Sequence, residues 1–161
     1  MITDANLLLE NSRTDVRAAS TYVSGNTIDL SVNRDIGAGE GLKCMWNVEV
    51  AYAGGTSIQF QQILSAAANL SSPVVVSPGR VIPLANLVLG AIYVDYIPEL
   101  LASPAGVTAP ATGFNGLGST GLRYFGTQEV SVGTFTAGQH SARIVKDVTD
   151  VKHYPSGYTI L

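Results

Sequence analysis

The chain has a single cysteine, Cys44. That excludes a disulfide framework and a cysteine-rich metal site. Cys44 also alternates with apolar neighbours, the pattern of a buried and inert thiol. Charge is scarce too: Asp, Glu, Lys and Arg make up 13% of the residues, about half the usual share of roughly 25%. Nine basic residues against twelve acidic ones give a net charge of −3. The basic residues are scattered rather than clustered, so the phosphate-neutralising patch that nucleic-acid binding needs is missing. Long apolar runs are absent as well. The nearest, Val81–Val94, is broken by Pro83, Asn86 and Gly90, so no stretch approaches the 18 residues of a membrane span. Met1–Arg13 lacks the basic start and apolar middle of a signal peptide. The expectation is a soluble protein made in a cytoplasm, a single domain over residues 1–161, with neither nucleic acid nor membrane as partner.

The gaps in charge are long. No Asp, Glu, Lys or Arg occurs from Val50 to Gly79 or from Leu100 to Leu122. A free monomer normally keeps its surface charged, whereas interface cores are depleted in charge. Partners covering part of the surface explain these gaps; so do β-protein loops built of Ser, Thr and Gly.

Period-two alternation is what the sequence has in abundance. In Cys44–Tyr52 the residues at 44, 46, 48, 50 and 52 are apolar or aromatic, with polar Asn47 and Glu49 between them. This predicts a half-buried strand with Trp46 and Val48 facing inward. Gly54-Gly55 then reads as a turn, and Ser57–Gln61 resumes the alternation, which predicts a hairpin. The slip at Gln62-Ile63 predicts a bulge or a strand end. Further strands are expected at Thr27–Val32, Val74–Val76, Val81-Ile82, Leu89–Ile97, Leu122–Thr127, Glu129–Phe135 and His140–Val148. Short helical candidates are Asn6–Glu10, Gln62–Asn69 and a turn at Leu84–Leu87. The fold class that follows is all-β: a jelly-roll-like β-sandwich of about eight strands. Leu101–Gly121, rich in Ala, Gly, Pro, Ser and Thr, reads as one flexible loop.

No constellation points to catalysis, and no cofactor or metal site is expected. Gly116–Gly121 matches Gly-x-Gly-x-x-Gly, but a loop precedes it and a strand follows, where a nucleotide site needs a strand and then a helix. Gly37–Gly41 reads as a turn. His140 and His153 with Asp147 and Asp150 make at most a sparse metal site, and ordinary surface histidines are the simpler account. Asp29, Asp35 and Glu40 fit no EF-hand spacing. Tyr52, Tyr93 and Tyr96 are the aromatic platforms that an alternative reading, a carbohydrate-binding β-sandwich module, would need; packing in or beside the core accounts for them equally.

Three blocks carry a family resemblance. Ala18–Thr21 and Asn26–Leu30 lead into Arg34–Gly37 and Gly39; Ser72-Pro73, Ile82-Pro83 and Leu87 follow; Leu122–Phe125 and Gly133–Gly138 close the series. In this order the chain resembles the capsid cement (decoration) proteins of tailed phages, typified by a short-tailed Bordetella phage. The resemblance implies a non-enzymatic jelly-roll subunit on the outside of the virion capsid, assembled in the host cytoplasm. It also implies the major capsid protein as partner, and self-association as a homodimer, with a trimer as the alternative. The loop 101–121 is longer than the family leads one to expect.

The tail, Lys146–Leu161, is unusually apolar for a chain end. Tyr154, Tyr158, Ile160 and Leu161 are the interface candidates. Fully extended the tail spans about 50 Å. It serves either as an arm that adds a strand to a neighbouring sheet or as the last strand of its own sandwich.

Overall fold

The computed structural model describes residues 7–29, 42–98 and 122–145. Within them the chain forms ten strands: β1 (Leu8–Thr14), β2 (Thr21–Val23), β3 (Ile28–Asp29), β4 (Lys43–Ala53), β5 (Ser57–Ser65), β6 (Val74–Ser77), β7 (Val81–Pro83), β8 (Ile92–Tyr96), β9 (Tyr124–Val132) and β10 (Ala137–Val145). One sheet has the order β1-β10-β4-β8. The other has β2-β9-β5-β6, with β3 also on β9 and β7 also on β5. All pairs are antiparallel. β2 and β3 run end to end along β9, and β6 and β7 do the same along β5. Ten segments therefore fill eight strand positions, four to a sheet, and the path keeps crossing from one sheet to the other. This is a jelly-roll sandwich.

The core lies between the sheets. From β4 come Cys44, Trp46, Val48 and Tyr52, and from β5 come Ile58, Phe60 and Leu64. Trp46 stacks on Phe60 at 5.4 Å between ring centroids and 14° between planes. Gln62 reaches across the gap, its Nε2 donating to Tyr96 O of β8 at 3.0 Å. The expected bulge at Gln62-Ile63 is present as a register shift between β5 and β6. A short 3-10 helix, Leu84–Asn86, occupies the expected turn.

Several expectations are corrected. β4 and β5 are not a hairpin, because they pair with different strands in different sheets. The connection at Gly54–Thr56 is a corner between the sheets, and Gly54 there has φ +94°, which a residue with a side chain adopts only at a cost. Val50 is exposed rather than inward, because β10 shifts register against β4 at Gln139 and His140. Where a helix was expected at Asn6–Glu10, Leu8–Thr14 is a strand along β10 with two register shifts. Gln62–Asn69 is not helical either: β5 continues to Ser65, and a turn follows. The two strands expected at Leu122–Thr127 and Glu129–Phe135 are one, β9. Gln128 does not break it, because its Nε2 donates to Gln61 Oε1 at 2.6 Å on the neighbouring strand.

The loop 101–121, the tail 146–161, both glycine motifs, and Asp35, Glu40, Asp147, Asp150 and His153 lie outside the described residues. Among the described residues, no helix is long and apolar enough to cross a membrane.

Candidate interaction surface

The antiparallel registers divide the sandwich into two unlike ends. At one end four short connections meet: 15–20 after β1, 54–56 after β4, 84–91 before β8, and 133–136 between β9 and β10. At the other end the described chain breaks off at Asp29, Pro98 and Val145. The four short connections are hydrogen-bonded into one surface. Arg17 and Phe135 exchange both backbone bonds, Thr136 N donates to Ala53 O, Thr56 N to Val132 O, and Leu84 N to Thr56 O.

This end carries almost no charge. Across 15–20, 51–57, 84–91 and 132–139 the charged residues are Asp15 and Arg17 alone. Asp15 is buried and Arg17 turns inward, so neither presents its charge outward. Large apolar side chains are exposed instead: Leu89 by 70%, Val16 by 59% and Val88 by 53%, flanked by Val50 and Val132. Of the other exposed large apolar residues, Val81 lies beside Arg80 and Tyr96 under the Lys43 ammonium, whereas Val74 and Val75 stand on β6 in a stretch without charge. Apolar exposure without charge is the composition of a protein contact.

Beneath this surface lies a buried ionic network. Asp15, the first residue after β1, accepts hydrogen bonds from the Tyr52 hydroxyl and the Arg17 guanidinium, and its Oδ2 lies 2.7 Å from His140 Nδ1. His140 Nδ1 is also 2.7 Å from the Tyr52 oxygen. An ionised carboxylate only accepts, so Nδ1 carries the proton it shares with Asp15. Arg17 continues to Glu129 on β9, and its guanidinium lies 3.6 Å from the centre of the Tyr22 ring. Arg13 donates to Glu10 at 3.1 Å and to Val23 O at 2.6 Å. Tyr52 gains its place because Gly138, at φ +147°, lets the ring cross the β10 backbone where a Cβ would collide with it. The network ties β1, β4, β9 and β10, and so both sheets, directly under the uncharged end.

The electrostatics agree with a structural role. Burial alone would raise the Asp15 carboxyl, but the hydrogen bonds from His140 and Tyr52 and the charges of His140 and Arg17 outweigh it and hold the group below its usual range. Burial and the neighbouring Asp15 push the Tyr52 hydroxyl up. Burial likewise raises the Cys44 thiol well above its normal value, as an inert core cysteine requires. In acid the unfolded chain takes up a proton that folded Asp15 resists, so stability should fall as pH drops below about 4. In base the unfolded chain ionises tyrosine first, so stability should fall again above about 10. Urea midpoints measured across pH check both arms, and Asp15→Asn should flatten the acid arm.

His140 is therefore not the surface histidine expected, but a core residue packed on Phe60 at 5.1 Å. Asp15, Glu129 and His140 place ligand-type atoms within 4.8 Å of one another. The cation they face is Arg17, which pairs with both carboxylates. A cavity of about 10 Å³ beside them, lined by Trp46, Phe60, Thr127, Glu129 and His140, is near the minimum for one water molecule. Asp29 is bound by Arg123 at 2.6 and 2.5 Å. Of the three aromatic platforms, Tyr52 and Tyr93 are buried and Tyr96 alone is exposed. The tail candidates Tyr154, Tyr158, Ile160 and Leu161 lie outside the described residues.

The sequence reading missed Val16, Val88 and Leu89 as surface residues. For Val88 and Leu89 the available signal was the charge-free run Val81–Val94; Val16, between Asp15 and Arg17, had none. It also missed the network, whose members are up to 125 residues apart.

A family model named Bbp16 matches residues 14–144, from the end of β1 to the end of β10. The chain belongs to the Bbp16 family. That name points to a Bordetella phage protein, in agreement with the phage family that the sequence blocks resemble. The Bbp16 match spans Asp15, Arg17, Tyr52, Glu129 and His140 and all four loops of the uncharged end, and it stops before the tail. No curated protein matches the chain.

Proposed function

We propose that the protein is a capsid cement protein that binds the outside of a phage head and clamps neighbouring copies of the major capsid protein, without catalysis. The observation that carries this reading is the Bbp16 match over residues 14–144, which takes in β2 to β10. The uncharged apolar end supports it, as does a polar network tied into the core rather than opened to a substrate. Self-association as a homodimer belongs to the same reading, with a trimer as the alternative.

The physical role is linkage. A protein that binds the closed shell and not the opened one stabilises the closed shell by about 2.7 kcal/mol per site at a free concentration one hundred times its Kd. Many sites then resist the pressure of packaged DNA together. Purified protein added to expanded heads that lack it should bind them and raise the temperature at which they lose DNA. Heads that neither bind the protein nor change in heat resistance would overturn the reading. Binding to a glycan array instead would favour the carbohydrate module, despite the burial of Tyr52 and Tyr93.

A further inference from the structure

We infer that β8 is a docking edge, whose outward backbone groups take up an extended segment of the major capsid protein as an added strand. The inference rests on the cement reading for the identity of the partner; the edge and the extended form of the occupant come from the structure.

Each sheet of the sandwich has two edges, and an open edge is a template for any passing strand, so natural edges are bent, shortened or interrupted. Among the described residues, three of the four edges here are blunted in this way. β1 shifts register twice against β10, and its Leu8 and Leu9 carbonyls take bonds from Asn26. β2 and β3 are three and two residues long. β6 and β7 are parted by Pro78-Gly79-Arg80, with Gly79 at φ +57°, and β7 ends on Pro83. β8 has none of these devices. Its five residues, Ile92–Tyr96, hold one unbroken register against β4 and include no Gly, Pro or Lys. Asp95, its one charge, turns toward Gly79 and Arg80 beside the facing sheet.

The register fixes which backbone groups are open. Val48 N donates to Ala91 O and Ile97 N to Leu42 O, so Ala91, Tyr93, Asp95 and Ile97 turn their backbone groups to β4. Ile92, Val94 and Tyr96 turn theirs away from it. Of these groups Tyr96 O alone has a partner among the described residues, the Gln62 amide. The side chains of the same three residues share the outer face of the sheet, beside Asn47, Met45 and Lys43, and Tyr96 is 68% exposed. An occupant therefore bonds through its main chain, and every second side chain lies along Ile92, Val94 and Tyr96, which suits apolar or β-branched residues at alternate positions.

Size decides between occupants. Five residues extend about 17 Å, and with a sheet roughly 10 Å thick an added strand covers on the order of 200 Å² a side. A stable interface takes about 800 Å² from each partner. Two free copies meeting by this edge alone fall well short. A segment of a shell on which the subunit already sits does not, because the other contacts set its local concentration.

The test adds the full chain to expanded heads that lack it and follows amide exchange residue by residue, free and bound. The amides of Ile92, Val94 and Tyr96 should exchange fast in the free chain and slowly on heads, while those of Tyr93 and Asp95 stay protected in both. Val94→Pro removes one outward amide and leaves the bonds to β4 in place, a site where an edge strand tolerates proline. It should weaken head binding about tenfold or more, because the carbonyl facing it loses its donor. Val94→Ala, which trims the side chain but keeps the amide, should weaken binding by less than the proline does. Protection of the three amides already in the free chain would overturn the inference, since the chain itself or a second copy would then cover the edge. So would heads that bind the parent and leave these amides fast, or that bind parent and proline variant alike; in both cases the cement reading stands. A parent that does not bind heads overturns both. The exchange measurement on the parent decides the matter even if Val94→Pro fails to fold.

Discussion

Asp15→Ala should destabilise the fold by about 3–5 kcal/mol, the usual result of removing one partner from a buried ion pair. The substitution leaves the Tyr52 hydroxyl and the proton on His140 Nδ1 without their shared acceptor, and it leaves Arg17 with Glu129 alone. Tyr52 and His140 are buried, so their stranded groups have no bulk water to compensate. The loss is read from urea unfolding at neutral pH, and a change under 1 kcal/mol would show that the network is dispensable. Combining Asp15→Ala with Arg17→Ala should cost less than the two single changes added, because the second removes a charge that the first has stranded. The loop itself should loosen less, since Asp15 N still bonds Gly138 O and Arg17 still exchanges backbone bonds with Phe135.

Trp46→Ala should cost about 3–5 kcal/mol through the cavity it opens. The indole is 1% exposed and stacked on Phe60, which packs in turn on Tyr93 and His140. Trp46 is therefore the contact that brings the middle of one sheet against the middle of the other. Since it is the chain's single tryptophan, native fluorescence should peak well to the blue of hydrated indole. A hydrated spectrum, or a loss under 1 kcal/mol, would remove Trp46 from the core.

What the sequence made legible was strand periodicity, and what it hid was pairing. The alternation through Trp46 and Val48 identified β4, and the slip at Gln62-Ile63 marked a real bulge. The same alternation cannot tell whether the next strand lies alongside or in the facing sheet, so Gly54-Gly55 read as a hairpin turn rather than a corner. β1 was hidden because Leu7–Glu10 has no strand pattern of its own. β10 imposes the extended form, and Ser12 takes a positive φ of 49° at its bulge. β9 was split at Gln128 because its amide ladder with Gln61 is a tertiary contact. The network was hidden for a related reason. Asp15 and Arg17 in a loop, and Glu129 and His140 on late strands, look like ordinary surface polar residues until the jelly-roll path brings them together.

The place of β1 beside β10 sets a timetable for synthesis. Ser12 N in β1 donates its hydrogen bond to Ser141 Oγ in β10, 129 residues later. At a synthesis rate of roughly 5–20 residues per second, β1 leaves the ribosome on the order of ten seconds before β10, its sheet neighbour among the described residues, exists. Through that interval Leu9 has no core to enter, Asp15 has no His140, and β4 lacks the strand that joins it to β1. The first sheet cannot form piecemeal from the N-terminus. Nascent chains stalled before Ala137 should remain protease-sensitive in β1, and those stalled after β10 has emerged should become resistant in a single step.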